Sequence, residues 1–366
     1  MKRSYDSGTI EKELFGISYS NRHPVYGSLE LTPCCNFNCN MCYVKKENAC
    51  TAPAEKWLKL GKEMKEKGVL FLLLTGGEPL LYKGFEEVYT GLREMGFVLS
   101  VNTNGSLIDQ YWIDFFKRNR PRQLNITVYG SSDSTYETLC HSSVKVKDIE
   151  KNLFSLKENG IDFRISFTAV PENVCEAEDI QRLAERLQVP VQFDTYVLPV
   201  AENGEFKKDA RLSPSEAAGA DIDICKLTYG SRYGSFCRYI VEMVNSTECE
   251  EEPHTMQCGA GRCTFSVNWQ GNLTPCVIMK SPSCNAFDNG FSSAWEYMKQ
   301  ETARILLNSK CMSCNMRELC NMCAAAAYTE TGSFCEIPEY VCEHTKEKYR
   351  RIFQEVNCHK EHYKDR

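Results

Sequence analysis

The sequence predicts an α/β fold with a parallel sheet, and three observations carry that prediction. Six short apolar runs recur at intervals of roughly thirty residues, amphipathic stretches of helical period lie between them, and those stretches are long enough for the crossovers that parallel strands require. With 366 residues the chain can bury a sizeable core. Its length suggests two domains, or one large one with an appendage.

Each element has its own signal. The strand candidates are "SLELT" (Ser28 to Thr32), "VLFLLL" (Val69 to Leu74), "FVLSVN" (Phe97 to Asn102), "QLNITVY" (Gln123 to Tyr129), "DFRISFTAV" (Asp162 to Val170) and "PVQFDTYV" (Pro190 to Val197). Phe85, Val88, Leu92 and Met95 fall on one helix face, and "IEKNLFSLKENG" stops at Gly160, a residue that commonly ends helices. Such units build either an open doubly wound sheet or a barrel, and in both the chemistry sits at the carboxyl ends of the strands. Near Arg211 the alternation breaks. "RLSPSEAA" reads as a capped helix start, and past Cys249 the chain becomes cysteine-dense. The expected organisation is an N-terminal extension over residues 1–24, an α/β domain over 25–210, linker helices over 211–250 and a second domain over 251–366. The order of that second domain should depend more on metal than on an apolar core.

Composition is ordinary except for 21 cysteines. The count is odd and no apolar signal stretch follows "MKRSYDSGTIEKELFG", so a reducing cytoplasm fits better than a secreted disulfide scaffold. The longest apolar run, Val69 to Leu74, is too short to span a bilayer, so no membrane partner is expected. A net charge of -6 argues against nucleic acid as a partner.

Three cysteines belong together by spacing. Cys35, Cys39 and Cys42 read C-x3-C-x2-C directly after the first strand, so three thiolates can converge from one loop onto one metal cluster while Cys34 points elsewhere. A structural zinc site or a ferredoxin-type cluster uses four protein ligands, whereas three leave one iron of a 4Fe-4S cube open to bind something else. A zinc site completed by a distant Cys or His is the alternative. "LLLTGGEPLL" puts Gly76, Gly77, Glu78 and Pro79 after the second strand, where glycines allow close backbone approach and a carboxylate can hold an ammonium. "VNTNG" puts Asn102, Thr103, Asn104 and Gly105 after the third, with amides and a hydroxyl suited to a ribose or an amino acid. Alone, each of these two stretches is as readily a turn.

In that order and at those strand ends, the cysteine loop, GGEP and TNG resemble the radical S-adenosylmethionine (SAM) superfamily, over about residues 25 to 200. The resemblance implies a partial (β/α)6 TIM barrel carrying a 4Fe-4S cluster on Cys35, Cys39 and Cys42. SAM would chelate the open iron through its amino and carboxylate groups, with Glu78 and neighbouring backbone on the amino group. It also implies the activity: an electron donor such as flavodoxin or ferredoxin reduces the cluster, SAM is cleaved to methionine and a 5'-deoxyadenosyl radical, and the radical takes a hydrogen atom from the substrate. Thr127, Arg164 and Ser166 alternate on one strand face as candidates for the carboxylate side, and Tyr43 is a candidate against the adenine; simple packing is the alternative for each.

The cysteine-dense part resembles the SPASM domain, an auxiliary-cluster module of many radical SAM enzymes. Cys258 and Cys263 stand in "CGAGRC", Cys276 follows "SVNWQGNLTP", "CMSCNMRELCNMC" supplies Cys311, Cys314, Cys320 and Cys323, and Cys342 closes the set. This implies two auxiliary 4Fe-4S clusters, one on Cys258, Cys263, Cys276 and Cys323 and one on Cys311, Cys314, Cys320 and Cys342, hence three clusters in all. Two residues separate Cys320 from Cys323 where the commonest pattern has three, and Cys335 is a reserve ligand. Two zinc ribbons on the same thiolates are the alternative. Among the remaining cysteines, Cys140, with His141 beside it, is a weak candidate for a catalytic role lining the substrate cavity; most of the others are expected to be small buried hydrophobes or inert thiols.

Radical SAM enzymes with two auxiliary clusters largely act on peptides or proteins. "TVYGSSDSTYETLC" resembles peptide-maturing members more than sulfatase-maturing ones, which tend to carry Asp where Val277 follows Cys276. The expected function is a thioether or carbon-carbon cross-link installed in a ribosomally made peptide. Formylglycine formation on a sulfatase, peptide epimerisation and a non-enzymatic cysteine-rich zinc protein are the alternatives. The roughly 25 residues before the first strand are too few for a leader-recognition domain, so leader binding is expected to use a separate protein or the barrel edge.

Overall fold

The computed structural model describes residues 7–44, 51–199, 201–202, 205–206, 210–247 and 255–362. Cys50 and Cys249 lie outside these residues, as does the side chain of Cys358. All six expected strands form: β1 (Tyr26–Glu30), β2 (Phe71–Thr75), β3 (Val98–Thr103), β4 (Gln123–Thr127), β5 (Phe163–Thr168) and β6 (Val191–Asp194), each parallel to the next. They lie in sequential order across the sheet, whereas a doubly wound sheet reverses direction at a switch point, so the architecture is the partial barrel.

Around the strands run α1 (Ser7–Asn21), α2 (Ala54–Glu66), α3 (Phe85–Glu94), α4 (Gln110–Arg118), α5 (Asp133–Leu139), α6 (Val146–Glu158) and α7 (Ala177–Leu187). Two of these helices start on side-chain caps: Asp109 accepts from Trp112 N–H before α4, and Ser132 from Thr135 N–H before α5. Leu29, Leu74, Val101, Ile126 and Ile165 alternate along the strands and are fully buried. The opposite face carries a polar row, because the register pairs Glu30 with Thr75, Asn102 with Asn125 and Asn125 with Arg164. Arg164 Nε donates to Asn125 Oδ1 at 2.7 Å, and Asn125 Nδ2 donates to Asn102 Oδ1 at 2.7 Å.

A two-residue hairpin, β7 (Ala201–Glu202) and β8 (Glu205–Phe206), precedes α8 (Pro214–Tyr229), whose capped start is a capping box between Ser213 and Glu216. Helix α9 (Tyr233–Ser246) follows, and the strand order does not end there. β9 (Thr264–Val267) pairs in parallel with β1, and β10 (Asn272–Thr274) and β11 (Cys284–Asn285) extend the sheet antiparallel to nine strands.

This corrects the expectation that the chain past residue 250 relies mainly on metal for order. Phe265, Val267 and Leu273 of the added strands, with Ala286 of the short α10 (Ala286–Asn289) and Phe291, Trp295 and Met298 of α11 (Phe291–Ala303), belong to the same apolar core as the barrel. Between β9 and β10, Gly271 at φ +86° closes the turn, and a Cβ there would stand 2.1 Å from the Phe287 ring. The later stretch, with α12 (Ser309–Met312) and α13 (Ala324–Thr331), has a small apolar cluster of its own, built from Met256, Met279, Ile305 and Leu307 among the cysteines. The terminal helix α14 (Glu339–His362) packs on α8 and α9. Two buried polar ties hold this region together, one from the start of α8 to α13 and one from α8 to α14 and the residue after β6. Arg211 grips Glu330 through both guanidinium nitrogens at 2.5 and 3.0 Å, and Asp221 holds Thr195, His344 and Lys348.

Candidate active site

The loops after β1, β2 and β3 meet at a cavity of about 280 Å³. Cys35, Cys39, Cys42 and Tyr43 supply one part of its wall, Gly76 and Gly77 a second, and Asn102, Thr103 and Asn104 a third. Thr127 at the end of β4, Tyr129 just beyond it and Thr168 at the end of β5 continue the wall. The loops are stitched together by backbone: Gly77 N–H donates to Thr32 O at 2.7 Å, and Glu78 N–H donates to Cys34 O at 2.8 Å.

Glu78, expected on the SAM amino group, does not line this cavity. It is fully buried, its Oε1 accepting from Leu80 N–H at 3.1 Å and Thr103 Oγ1 at 2.9 Å, and its Oε2 from Asn104 N–H at 2.8 Å. Burial pushes its carboxyl up to about 7, against the pull of those donors. In this arrangement the carboxylate clamps GGEP to TNG, and the exposed wall is Gly76 and Gly77. Arg164 and Ser166 also stand away from the wall; Arg164 is engaged with Asn125.

Tyr43 does line the cavity, and its hydroxyl is hydrogen-bonded to Glu30. Burial, then the Glu30 charge, holds that hydroxyl well above the usual range. Ile278, two residues beyond Cys276, lines the same cavity, which brings the second cysteine group to its border.

Cys140 and His141 are not on the cavity wall, which corrects their expected place there. Cys140 is fully buried with its thiol hydrogen-bonded to Cys39, and His141 Nε2 lies 2.8 Å from Asn40 Oδ1. Both brace the cysteine loop from behind: Asn38 N–H donates to Cys140 O at 2.7 Å and Asn40 N–H to Leu139 O at 3.0 Å.

The other cysteines sort into two neighbourhoods. Cys263, Cys276 and Cys323 each feel the charge of Cys258, and Cys323 also that of Cys276. Cys311 feels Cys320, Cys342 and Cys314. Burial is the larger cause in every case, raising Cys263 and Cys311 to about 11. Cys311, Cys314, Cys320 and Cys342 line one cavity of about 310 Å³, with Cys258 and Cys323 on its wall. Cys335 does not line it; its thiol donates to Leu306 O at 3.2 Å.

The thiols fit a cluster better than a lone ion. Phe37 N–H donates to Cys35 Sγ at 3.4 Å, Met279 N–H to Cys276 Sγ at 3.4 Å and Ala326 N–H to Cys323 Sγ at 3.3 Å. Such donors favour the thiolate, the ligating form, and hydrogen bonds to sulfur are a feature of iron–sulfur sites. Among the described residues no three His, Cys, Asp or Glu side chains converge tightly enough for a single metal ion. Thiols standing around a cavity suit a cube with an iron at each corner. Sequence reasoning missed Phe37, Met41, Thr75, Tyr129, Thr168 and Ile278 as wall residues. Period-two spacing gave a signal for Thr75 and Thr168, polar ends of strands in phase with Asn102 and Arg164.

A family model for the radical SAM superfamily matches residues 29–184. An AdoMet-dependent heme synthase of Methanosarcina barkeri is 22% identical over 337 residues, covering 85% of this chain and 94% of that one. PqqA peptide cyclase of Bradyrhizobium diazoefficiens is 22% identical over 338 residues, covering 87% of this chain and 85% of that one. The crystal structure of Streptococcus suis SuiB bound to precursor peptide SuiA matches at a TM-score of 0.68 and 16% identity, covering 93% of this chain and 82% of that one, a likeness of fold. With three cysteines of one loop at the mouth of a partial barrel, residues 29–184 form a radical SAM domain and the chain is a radical SAM enzyme.

Proposed function

We propose that this enzyme installs a cross-link in a ribosomally made peptide by radical chemistry. The family implies a 4Fe-4S cluster and SAM, which when bound supply a 5'-deoxyadenosyl radical able to take a hydrogen atom from substrate. The carrying observation is that Cys35, Cys39 and Cys42, and no other cysteine among the described residues, line the cavity walled by Gly76, Gly77 and Asn102 to Asn104. Those three would hold the cluster, the glycine and TNG segments with Thr127 and Tyr43 would hold SAM, and Phe37, Val197 and Ile278 would keep water from the reacting atoms. Glu78 acts through the loops it clamps.

The two further cysteine sets are read as auxiliary clusters that take the electron a cross-link must release. Their neighbourhoods, and the nearness of Ile278 to the cavity, support that reading. An external flavodoxin or ferredoxin and a separate leader-recognition protein complete the proposed partners. Support for a peptide substrate comes from the likeness to PqqA peptide cyclase across most of both chains. The likeness to heme synthase, of similar extent, favours a tetrapyrrole as the second reading.

Co-expression with the short reading frames beside this gene separates them. A peptide lighter by the mass of two hydrogens per link is the expected result. Unchanged mass with solvent deuterium at one position would mean epimerisation. Unmodified peptides alongside conversion of a tetrapyrrole, or of a sulfatase to its formylglycine form, would replace the peptide cross-linking reading.

A further inference from the structure

We propose that Glu330, gripped by Arg211, is a positioning residue for the SAM cavity: it anchors Tyr196 and thereby fixes the apolar wall that Val197 and Leu198 give to that cavity. The inference rests on the reading of the cavity as the SAM site. Val197 and Leu198 line it together with the cysteine loop and the ends of β2 to β5.

The sheet does not hold this wall. β6 is the last strand in the order, paired on one side only. Ala169 N–H donates to Asp194 O at 2.8 Å, and among the described residues no backbone–backbone hydrogen bond reaches Thr195, Tyr196, Val197 or Leu198. A buried backbone without a ladder takes its place from side chains. Here they come from one direction. Tyr196 Oη donates to Glu330 Oε1 at 3.0 Å, Arg211 Nη1 donates to Val197 O at 3.4 Å, and Thr195 Oγ1 donates to Asp221 of α8.

The anchor is itself fixed. The Arg211 guanidinium forks onto both Glu330 oxygens and lies 3.5 Å over the Tyr340 ring, and the two charged side chains are only 8% and 9% exposed. Glu330 stands on α13, whose alanines from Ala324 to Ala327 are buried, so the carboxylate rides on a packed element. Desolvation offsets most of the attraction in a buried ion pair, which makes such a pair a poor source of stability and leaves the selection of one arrangement as its use. The arrangement selected here bears on one short segment, and that segment is the one lining the cavity. A shift of the wall changes how closely SAM is held without touching the cluster ligands.

The test is calorimetric titration of SAM into the anaerobically reconstituted full chain, with iron per chain and the rate of 5'-deoxyadenosine formation at saturating SAM measured on the same samples. Tyr196→Phe removes only the hydroxyl, and Arg211→Lys keeps the charge but cannot fork onto Glu330 while holding Val197 O. Each should raise the Kd for SAM by roughly three- to tenfold, the worth of about one hydrogen bond, with iron unchanged and the rate at saturation within about twofold. Tyr89→Phe is the control: it removes another buried tyrosine hydroxyl, bonded to Asn119 O at 2.9 Å and off the cavity wall, and should leave the Kd unchanged. In a Val197→Ala background, where the wall side chain is already cut back, adding Tyr196→Phe should raise the Kd by less than it does alone. Wild-type Kd values in both Tyr196→Phe and Arg211→Lys, beside a wild type that binds SAM, overturn this inference alone. So does an equal rise in Tyr89→Phe, or full additivity with Val197→Ala, since either would make the anchor a general prop of the fold. A wild-type enzyme that binds no SAM overturns the SAM reading and this inference with it.

Discussion

Gly77→Ala should disable the site without removing any proposed cluster ligand. A Cβ on Gly77 would stand 2.3 Å from Cys34 O and 2.7 Å from Pro33 O, where ordinary contact begins at 3.4 Å. Both obstacles are backbone, so the chain just before Cys35 has to retreat by about 1 Å, a shift of the size that can cost roughly 100-fold in rate at a reacting centre. The retreat also strains the bonds from Gly77 N–H to Thr32 O and from Glu78 N–H to Cys34 O. Each is worth about 1 kcal/mol, and overpacking adds about 1–3 kcal/mol, so the fold should lose about 3–5 kcal/mol. The assay is 5'-deoxyadenosine formation after anaerobic reconstitution, read beside iron per chain and urea denaturation. Gly16→Ala in α1, with nothing within 4 Å of the new Cβ, is the control. It should leave activity unchanged and stabilise by at most about 1 kcal/mol. A Gly77→Ala enzyme with wild-type iron and wild-type SAM cleavage would refute the steric argument.

Three more outcomes are expected. The Glu78 carboxyl sits at about 7 in the fold against 4.5 as its ordinary value, so between those pH values the folded state holds the extra proton. Its contribution to stability should therefore fall as pH rises from about 4.5 to 7, by on the order of 3 kcal/mol; urea denaturation at pH 5 and pH 8 measures it, and Glu78→Gln should flatten the slope. Arg211→Ala leaves Glu330 buried without its bidentate partner and should cost about 3–5 kcal/mol, whereas replacing both with apolar residues of similar volume should cost far less. Replacing Cys311, Cys314, Cys320 and Cys342 with Ala should remove about four of about twelve irons and leave SAM cleavage in place; full iron retention would refute that ligand set.

The barrel was legible because its strands are short, apolar and regularly spaced, and each expected run holds a strand within a few residues of its expected ends. The added strands were not, because a local hairpin signal among cysteines does not encode the pairing of β9 with β1, far away in sequence. "TFSVNWQGNLT" has two strand-like halves about a glycine turn, and its apolar residues complete the barrel core. At the site, spacing along one loop or strand end predicts which side chains can meet, so Cys35, Cys39, Cys42, Tyr43, Gly76, Gly77, Asn102, Thr103, Asn104 and Thr127 share one cavity. It does not predict which way a side chain turns once other loops compete for it. Glu78 is taken by the TNG turn and Arg164 by Asn125, and Cys140 is turned to Cys39 by the bonds that tie α5 to the cysteine loop. Those are tertiary hydrogen bonds between segments far apart in sequence, and no local pattern encodes them.

The measurement closest to the central claim is SAM cleavage by the anaerobically reconstituted, reduced enzyme and by its Cys35→Ala, Cys39→Ala, Cys42→Ala triple variant. The wild type should release 5'-deoxyadenosine and methionine in equal amounts, and the triple variant should release none while keeping the irons of the second cysteine region. Cleavage that persists unchanged in the triple variant would contradict the account, because the open iron would then lie somewhere other than at the mouth of the barrel.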